Sequence, residues 1–281
     1  MSFTVRTMKK DEVSIALKWA EIEGWNPGIC DAECFHTADP SGFLLGEIDG
    51  DPIGSVSVVK YGDDFGFLGL YIVRPEFRGK GYGIRIWNAG IEYLSGRNIG
   101  LDGVVAQQNN YRKSGFRLAY RNVRYEGKDI GKEHARGSDV VELSSVPFNA
   151  LAEYDRRFFP APRGKFLECW TSRPGTISLG ILNDNKKLAG YSVMRQCCMG
   201  FKIGPLFADS AALAEKLFLA LCRMVPGEPV FLDVPEPNAG AVALAERYGM
   251  KRVFETARMY TKGEPSLPLE NIFGVTTFEL G

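Results

Sequence analysis

A run of alternating glycines at residues 78–83 is the part of the sequence whose residue types and spacing most clearly suggest chemistry. It reads Arg78, Gly79, Lys80, Gly81, Tyr82 and Gly83. An apolar stretch ending near Val73 predicts a strand before the run, and the pattern beginning at Ile84 predicts a helix after it. A glycine loop at a helix start directs backbone N–H groups and the positive end of the helix dipole at one point. The sequence therefore predicts a site for a phosphate or pyrophosphate group.

Two well-known nucleotide-binding loops have a different spacing from this one. The nucleotide P-loop requires Ser or Thr directly after a Gly-Lys pair, and here Gly81 follows Gly79 and Lys80. The dinucleotide fingerprint requires two residues between its second and third glycines, whereas the glycines at 79, 81 and 83 alternate evenly. The spacing excludes both loops.

The glycine run resembles the pyrophosphate loop of the GCN5-related N-acetyltransferase (GNAT) superfamily. That loop has Gln or Arg, then two residues, Gly, one residue, and Gly or Ala, positions matched by Arg78, Gly81 and Gly83. The family's later signature, an aromatic Tyr followed after three residues by Gly-Phe, is matched by residues 111–116. The resemblance covers nearly all of residues 1–126, and it implies acetyl-coenzyme A as co-substrate and an amine as acyl acceptor.

The resemblance also implies where the coenzyme lies. A strand near residues 68–73 would splay from its neighbour, and the pantetheine arm would occupy the gap. The residues expected to bind the coenzyme are Tyr71, Ile72, Val73, Arg78, Gly79, Lys80, Gly81, Tyr82, Gly83, Asn109 and Asn110. The two asparagines are included because Val104 replaces the Asn that the family usually has eleven residues before Gly115.

Tyr111 stands where the family places its general acid, four residues before Gly115. A phenol with a pKa of about 10 can hydrogen-bond to the departing thiolate and give it a proton. The alternative is a buried aromatic residue whose hydroxyl is satisfied inside the protein. Because the phosphate loop is intact, the acid role is favoured.

Glu47 and Asp102 are the candidates for a general base. Both fall at predicted strand ends that could face the splayed gap, and either could collect the amine proton, directly or through a water. A solvent-facing strand position is the alternative for Glu47, and a helix N-cap is the alternative for Asp102. Some members of the family use no protein base, so the assignment stays open.

The resemblance implies that the loop after the first helix lines the acceptor pocket, and Trp25 and Asn26 lie in that loop. For Trp25 the alternative is a ring that staples the loop to the core. Tyr61 and Asp63, with Asp64, lie in the next hairpin connection and could face the same space; solvated turn residues are the alternative. An acidic pair there would favour a cationic acceptor.

The elements that must position these residues occur twice in the chain. Residues 43–58 and 177–193 each predict a hairpin, with a strand, a polar turn and a second strand. Gly46 and Gly180 of the two hairpins are 134 residues apart, and the same offset separates Arg124 from Arg258. Agreement of offsets across most of each half indicates a tandem duplication.

A charged, glycine-bearing stretch without apolar periodicity, residues 127–138, is predicted to be the linker. It separates a first domain, residues 1–126, from a second, residues 139–281. Helical spacing in residues 9–23 and 84–95 alternates with strand patterns. The sequence therefore predicts an α/β (α+β) fold of two tandem GNAT-like domains, each a mixed, mostly antiparallel sheet flanked by helices.

The second half is a degenerate copy. Asn238 keeps the family's spacing of eleven residues before Gly249, but Ala245 occupies the general-acid position. Where the pyrophosphate loop belongs, the residues are Phe207, Ala208, Asp209, Ser210, Ala211 and Ala212. With no glycine or cation there, and with an acid that would repel phosphate, this half is expected to close the acceptor pocket or to form a dimer face.

Composition limits the function classes. The 34 basic and 34 acidic residues cancel, so no overall field favours nucleic acid or anionic membrane as a partner. No signal-peptide pattern or long apolar run is present, which predicts a cytoplasmic protein. Two histidines and six cysteines without a C-x-x-C pair predict no metal site and free, buried thiols rather than a disulfide framework.

The leading hypothesis is an acetyl-CoA-dependent N-acetyltransferase that acts on a small-molecule amine by direct attack on the thioester, as a monomer or homodimer. A non-catalytic acyl-CoA sensor is the alternative from another class, and Tyr111 argues against it because a sensor needs no acid. A scaffold that keeps only the fold conflicts with the intact loop. The identity of the acceptor does not follow from the sequence.

Overall fold

The computed structural model describes residues 2–131 and 139–281. Its α-helices, in chain order, are α1 (Val13–Ile22), α2 (Asp31–Ala38), α3 (Tyr82–Tyr93), α4 (Gln108–Lys113), α5 (Phe148–Asp155), α6 (Gly164–Ser172), α7 (Ala211–Cys222) and α8 (Ala239–Arg247). The sequence predictions of a first helix within residues 9–23 and of a helix in residues 84–95 are confirmed by α1 and α3. The buried positions of α1, Val13, Ala16, Leu17 and Ala20, recur every three or four residues, as an amphipathic helix requires.

The strands join into one sheet that runs through both halves of the chain. They are β1 (Phe3–Thr7), β2 (Phe43–Ile48), β3 (Asp51–Tyr61), β4 (Phe65–Val73), β5 (Asn98–Val104), β6 (Arg117–Lys128), β7 (Val140–Glu142), β8 (Thr176–Leu182), β9 (Leu188–Gln196), β10 (Phe201–Ala208), β11 (Pro229–Pro235), β12 (Lys251–Tyr260) and β13 (Ile272–Gly274). Only the β4–β5 and β10–β11 pairs are parallel among the pairs of the described strands. The mixed, mostly antiparallel sheet with flanking helices confirms the predicted fold class.

The two halves exchange their closing strands. The sheet order is β1-β2-β3-β4-β5-β12-β6-β11-β10-β9-β8-β7, and β13 pairs with β10. Strand β12 of the second half therefore pairs with β5 of the first, whereas β6 of the first half pairs with β11 of the second. Strands β6 and β12 also pair with each other at the centre. The duplicated units are joined by continuous backbone hydrogen bonding rather than by a side-chain interface alone.

This exchange affects the predicted linker, residues 127–138. Residues 127 and 128 belong to β6 and pair with Val230 and Pro229. Residues 132–138 lie outside the described part of the chain. The domain limits stay predictions, since each compact half contains one strand from the other.

The predicted free state of all six cysteines is wrong for two of them. Cys34 on α2 and Cys169 on α6 form a disulfide, with their Cα atoms 5.4 Å apart. The two helices pack against each other across the junction of the halves, with Phe35 stacked on Trp170 at a ring-centroid distance of 6.1 Å. The cysteines are 135 residues apart in sequence, and they meet because the two halves pack against each other. No short sequence pattern could have predicted this disulfide. Cys30, Cys197, Cys198 and Cys222 are free.

Candidate active site

A gap opens where β4 and β5 diverge. Their pairing runs from Phe65 opposite Asn98 to Leu68 opposite Leu101, and it ends there. On its other side β4 stays paired with β3 as far as Val73. The last residues of β4 therefore present one backbone edge to the gap, as the resemblance to the GNAT loop implies.

A bulge in β4 shapes this gap. Leu70 has a φ of 44°, and the β3–β4 register shifts opposite it. The Ser55 hydroxyl donates to the Leu70 carbonyl at 2.9 Å and fixes the bulge from the β3 side. A Cβ on the preceding residue, Gly69, would lie 2.1 Å from the backbone oxygen of Glu279. Glycine is thus required at position 69 because the C-terminal segment of the described chain passes directly against it.

The glycine loop precedes the start of α3. Gly79 and Gly81 have φ values of 73° and 84°, a region that favours glycine. A Cβ on Gly83 would lie 2.6 Å from the Tyr71 hydroxyl. Gly81 is the N-cap of α3, and the cap carries no side-chain hydrogen bond, so the first N–H groups of the helix are left for a ligand. The loop has the geometry of an anion site.

Arg78 is fixed beside the loop. Its Nε donates to the Val73 carbonyl at 2.7 Å, and its Nη2 donates to the Glu23 carboxylate at 2.5 Å. These two contacts connect the end of β4 to the segment after α1. The guanidinium is consequently held at the rim of the space in front of the loop, while its side chain stays about half exposed.

A large cleft lies in front of the glycine loop, and we call it the loop cleft. Its volume is about 650 Å³, and its walls include Glu23, Tyr71, Val73, Gly81, Trp87 and Lys113. Of the residues predicted to bind a coenzyme, those that line it are Tyr71, Ile72, Val73, Arg78, Gly79, Gly81, Gly83 and Asn110. Three others lie outside its walls. Lys80 is exposed near the Phe77 ring, Tyr82 packs against Phe3, and Asn109 is exposed and accepts from Arg112.

A second, smaller space continues inward from the cleft, and we call it the inner chamber. Its cavity volume is about 40 Å³, and its walls include Trp25, Leu68, Asp102, Tyr111, Phe254 and Glu279. Trp25, Tyr71, Val104 and Tyr111 line both spaces, so they form the passage between them. A ligand that lies along β4 in the cleft would reach the chamber through this passage.

Tyr111 stands in that passage on α4. Its ring stacks on Trp87 at a centroid distance of 5.6 Å, and it lies flat over Gly103, where a Cβ would be 2.1 Å from the tyrosine ring. Burial, reinforced by the neighbouring Tyr71 hydroxyl, raises the pKa of Tyr111 to about 12, and a hydrogen bond with the Val104 backbone partly offsets the rise. Tyr111 is therefore protonated, and its hydroxyl is a hydrogen-bond donor, at every ordinary pH.

The two predicted bases are both ion-paired. Glu47 accepts from Arg6 at 2.6 and 3.0 Å, and it lies outside the walls of the cleft and of the chamber. Asp102 does line the chamber, but its side chain is completely buried, and it accepts from Arg258 at 2.6 and 3.0 Å and from Asn122 at 2.8 Å. Neither carboxylate can take a proton without weakening an ion pair that joins two neighbouring strands.

The four predicted acceptor-binding residues are scattered. Trp25 lies in the passage. Asn26 is buried, exchanging hydrogen bonds of 2.8 and 3.0 Å with the backbone of Met199, so it ties the loop to the second half. The Tyr61 hydroxyl donates to the Leu280 carbonyl at 3.1 Å inside the core. Asp63 is an exposed turn residue, and neither Tyr61 nor Asp63 lines the chamber.

The start of α7, which corresponds to the glycine loop of the first half, is occupied by the second half's own side chains. Ser210 caps α7 by accepting from the Leu213 N–H, so this helix start is already occupied by its own side chain. Asp209 beside it accepts from the Tyr154 hydroxyl at 2.9 Å and pairs with Arg157. Asn238 caps α8 and donates to the Ile272 carbonyl. In this half, the Asn at that spacing thus serves the fold.

Several site residues escaped prediction from the sequence. Phe254, Thr256, Phe278 and Glu279 come from the second half and line the inner chamber. They reach it because β12 crosses into the first half, an exchange that no local pattern reports. One signal was present: Glu279 is a single charge within the otherwise uncharged stretch from Val275 to Leu280. A charged residue in a run of this kind is unusual, and it indicates a position at which the charge itself has a role.

Neither a metal-binding cluster nor a membrane-spanning helix is present in the part of the chain that the structure describes. Residues 2–131 and 139–281 contain no cluster of three or more histidine, cysteine or acidic side chains placed to hold a metal ion. No helix in the same residues has the length and apolar character needed to cross a bilayer.

Comparison with protein families and curated proteins connects both halves to one group. A model described as the acetyltransferase (GNAT) family matches residues 11–116, and one described as the acetyltransferase (GNAT) domain matches residues 151–274. Holothin acyltransferase of Pseudoalteromonas sp. (strain SANK 73390) is 32% identical over 282 residues, which cover 100% of this chain and 95% of that protein. Mycothiol acetyltransferase of Cellulomonas flavigena is 29% identical over 126 residues, 39% of this chain and 36% of that protein.

Solved structures resemble the whole chain. An acetyltransferase candidate from Pyrococcus horikoshii superposes with a TM-score of 0.85 at 23% identity, over 99% of this chain and 96% of that one. A tandem GNAT protein from the clavulanic acid biosynthesis pathway gives a TM-score of 0.65 at 12% identity, over 94% of this chain and 100% of that one. At these identities the likeness concerns the fold, and it extends the tandem arrangement to the full length of the chain.

Proposed function

The chain belongs to the GNAT family of acyltransferases, and from that premise we propose that it transfers an acetyl group from coenzyme A to the primary amine of a small molecule. The observation that carries the proposal is the continuity of the loop cleft with the inner chamber through the passage at Tyr111. A coenzyme in the cleft would present its thioester at this passage, and an acceptor in the chamber would meet it there.

The loop cleft supports the coenzyme half of the proposal. The pyrophosphate would be bound by the N–H groups at the start of α3, with the positive end of the helix dipole directed at it. The pantetheine arm would hydrogen-bond to the open edge of β4 between Tyr71 and Val73. Lys113 on the opposite wall adds a cation for a further phosphate group. A larger space in front of the loop than beyond the passage is what a long coenzyme and a small acceptor require.

Transfer requires a neutral amine nitrogen to attack the thioester carbonyl. The C–N bond forms, the C–S bond breaks, and the departing thiolate must be stabilised. The Tyr111 phenol, with a pKa of about 12, is a weaker acid than an ordinary thiol with a pKa of about 8.5. Tyr111 would therefore act chiefly by donating a hydrogen bond to the sulfur as its negative charge develops. It need not become a phenolate.

The second half supports the proposal because its residues would enclose an acceptor in the chamber. Phe254, Thr256 and Phe278 complete walls that the first half leaves open. Shielding the thioester from water favours transfer to the amine over hydrolysis. The names of the two curated relatives, which refer to holothin and mycothiol, are consistent with a small-molecule acceptor.

A ligand titration followed by a turnover assay tests the proposal. Melting temperature would be measured with acetyl-CoA, coenzyme A, ATP and NAD, and thiol release would then be followed with a panel of primary amines. We expect stabilisation by the two coenzyme A ligands alone and amine-dependent thiol release. Stabilisation without turnover of any amine would instead identify an acyl-CoA sensor, and no stabilisation by either coenzyme A ligand would refute the proposal.

A further inference from the structure

The end of the described chain crosses from the second half into the first. Residues 272–281 are buried without interruption. The backbone N–H groups of Glu279 and Leu280 both donate to the Thr277 hydroxyl, at 3.2 and 2.8 Å. Tyr61 holds the Leu280 carbonyl, and the Glu279 carbonyl lies against Gly69. The segment is therefore fixed beside the bulge of β4, at the wall of the inner chamber.

Glu279 brings a carboxylate with an unused oxygen to that wall. The residue is 4% exposed, and its Oε2 has no hydrogen-bond partner among the described residues. Asp102, the other carboxylate of the chamber, has both oxygens engaged by Arg258. A buried carboxylate oxygen without a donor is unfavourable. Because Glu279 is a wall residue of the chamber, a ligand bound there is a source of the missing donor.

Buried positively charged side chains lie near Glu279. Its charge acts on three buried cations, Arg124, Arg195 and Lys202. Two of them are already paired, Arg124 with Asp233 and Arg195 with Asp31. Lys202 donates to the Asn26 carbonyl at 2.7 Å, and burial together with Arg124 lowers its pKa. Glu279 therefore lies beside a buried cluster of positively charged side chains.

The other residues that line the chamber indicate the chemical character of the rest of the ligand. They are mainly aromatic and aliphatic, from Trp25, Leu68, Leu70, Phe254 and Phe278. A polycation would bring several ammonium groups to a chamber with one unused carboxylate. Apolar walls around a single acidic group instead suit a compact molecule with an apolar or flat body and one amine.

We propose that Glu279 binds the primary amine of the acceptor and takes its proton, and that the acceptor is a compact, largely apolar monoamine. The inference rests on the proposed acyl transfer. It assigns the base to the second half, whereas the coenzyme loop and Tyr111 belong to the first. The active site is then complete only when both halves are docked.

The protons balance for an acceptor that enters as an ammonium ion. Glu279 accepts one proton from the nitrogen, which frees the lone pair to attack the thioester carbonyl. As the C–N bond forms and the C–S bond breaks, the nitrogen loses a second proton and the departing sulfur gains one. The product is an amide and a free thiol, and the proton on Glu279 passes to water after the product leaves.

The experiment compares Glu279→Gln with wild type on two kinds of amine. One is a phenylalkylamine, which is an ammonium ion at pH 7; the other is an arylamine, which is already neutral. Glu264→Gln is the matched control, because Glu264 is exposed and lines neither the loop cleft nor the inner chamber. Binding of acetyl-CoA to each variant is measured by calorimetry, and folding is checked by thermal melting.

We expect kcat/KM of Glu279→Gln for the phenylalkylamine to fall about 10²-fold, the range of a general base, and for the arylamine to fall only a few-fold. Coenzyme affinity should not change. Equal losses on both amines, or no loss, would overturn the assignment while leaving acyl transfer intact. If wild type acylates neither these nor any other amine, the proposed function fails and the assignment fails with it.

Two further measurements keep the test decisive. Should Glu279→Gln fold poorly, Glu279→Asp retains the charge on a shorter side chain, and the same selective loss on the phenylalkylamine is expected. A triamine such as spermidine serves as an acceptor for wild type. Turnover of the triamine at or above the rate of the phenylalkylamine would contradict the proposed acceptor class.

Discussion

Arg258 binds Asp102 through two parallel hydrogen bonds, Nε to Oδ1 at 3.0 Å and Nη2 to Oδ2 at 2.6 Å, directly across the β12–β5 pairing. Arg124 binds Asp233 through the same atoms at 2.6 and 2.8 Å across the β6–β11 pairing. Each pair joins an exchanged strand to its host half. The duplication has therefore preserved one buried ion pair twice, and Asp102 has a structural counterpart in a half without the coenzyme loop.

We expect Asp102→Asn and Asp233→Asn to destabilise the protein to a similar extent. Each removes the charge opposite a buried arginine, a change that typically costs about 3–5 kcal/mol of unfolding free energy. Urea unfolding measures the loss. The control is Asp51→Asn, because the Arg74–Asp51 pair is largely exposed and should contribute less than about 1 kcal/mol. A stable Asp102→Asn variant without activity would instead support the catalytic role first predicted for Asp102.

The sequence predicted the local elements well because they depend on short patterns. The glycine loop, Tyr111 and the two hairpins are each defined within about twenty residues, and the structure has strands, turns and helices there. The matched spacing of Arg124 and Arg258 also indicated the duplication. What each arginine does could not be predicted, since its partner lies on a strand of the opposite half.

The inner chamber was beyond prediction for the same reason. Its second-half walls arrive by strand exchange and by the segment that ends at Gly281, at sequence separations above 100 residues. Trp25, which the sequence prediction places by its position after the first helix, lines the chamber. The sequence prediction puts Tyr61 and Asp63 in the pocket because it assumes that their hairpin turn faces the pocket. That turn lies at the start of β4, and the gap opens only after Leu68.

The Cys34–Cys169 disulfide should connect the halves covalently in the purified protein. Alkylation after denaturation without reductant should label the four free cysteines, and labelling after reduction should reach all six. We expect the double variant Cys34→Ala, Cys169→Ala to lose about 2–4 kcal/mol of stability because its unfolded chain is less constrained. Cys30→Ser, at an exposed free thiol, is the control. Six labels without reduction would show that the disulfide is absent in solution.

Gly81→Ala should weaken coenzyme binding at least tenfold. Gly81 has a φ of 84°, which costs an alanine about 1–2 kcal/mol, so the loop would shift and misdirect its N–H groups. Calorimetric titration with coenzyme A measures the effect. Gly62→Ala provides a matched control, because Gly62 has a φ of 62° and equally open surroundings but lies in the β3–β4 turn. Both variants should lose similar stability, and only Gly81→Ala should lose affinity; parallel affinity losses would contradict a specific role of the loop.

Tyr111→Phe should lower kcat about 10²-fold and leave the Kd for coenzyme A unchanged, since the phenyl ring keeps the stacking on Trp87. Because the folded pKa of Tyr111 is raised from 10.0 to about 12, the neutral phenol persists and the donor is retained up to strongly alkaline pH. Its contribution to stability is present below pH 10 and decreases as the pH rises towards 12. A pH–rate profile whose alkaline limb lies below pH 10 and disappears in Tyr111→Phe would contradict this assignment.

Gly103→Ala tests whether Tyr111 acts from the position in which it lies. The added methyl group would meet the tyrosine ring at 2.1 Å, so the ring must leave its place over β5 while its hydroxyl remains chemically intact. We expect kcat to fall nearly as far as in Tyr111→Phe. The double variant should show little further loss, because the two changes remove the same hydrogen bond and their effects should not add. Additive losses in kcat would mean that Gly103 affects the site by another route, and thermal melting separates that case from general destabilisation.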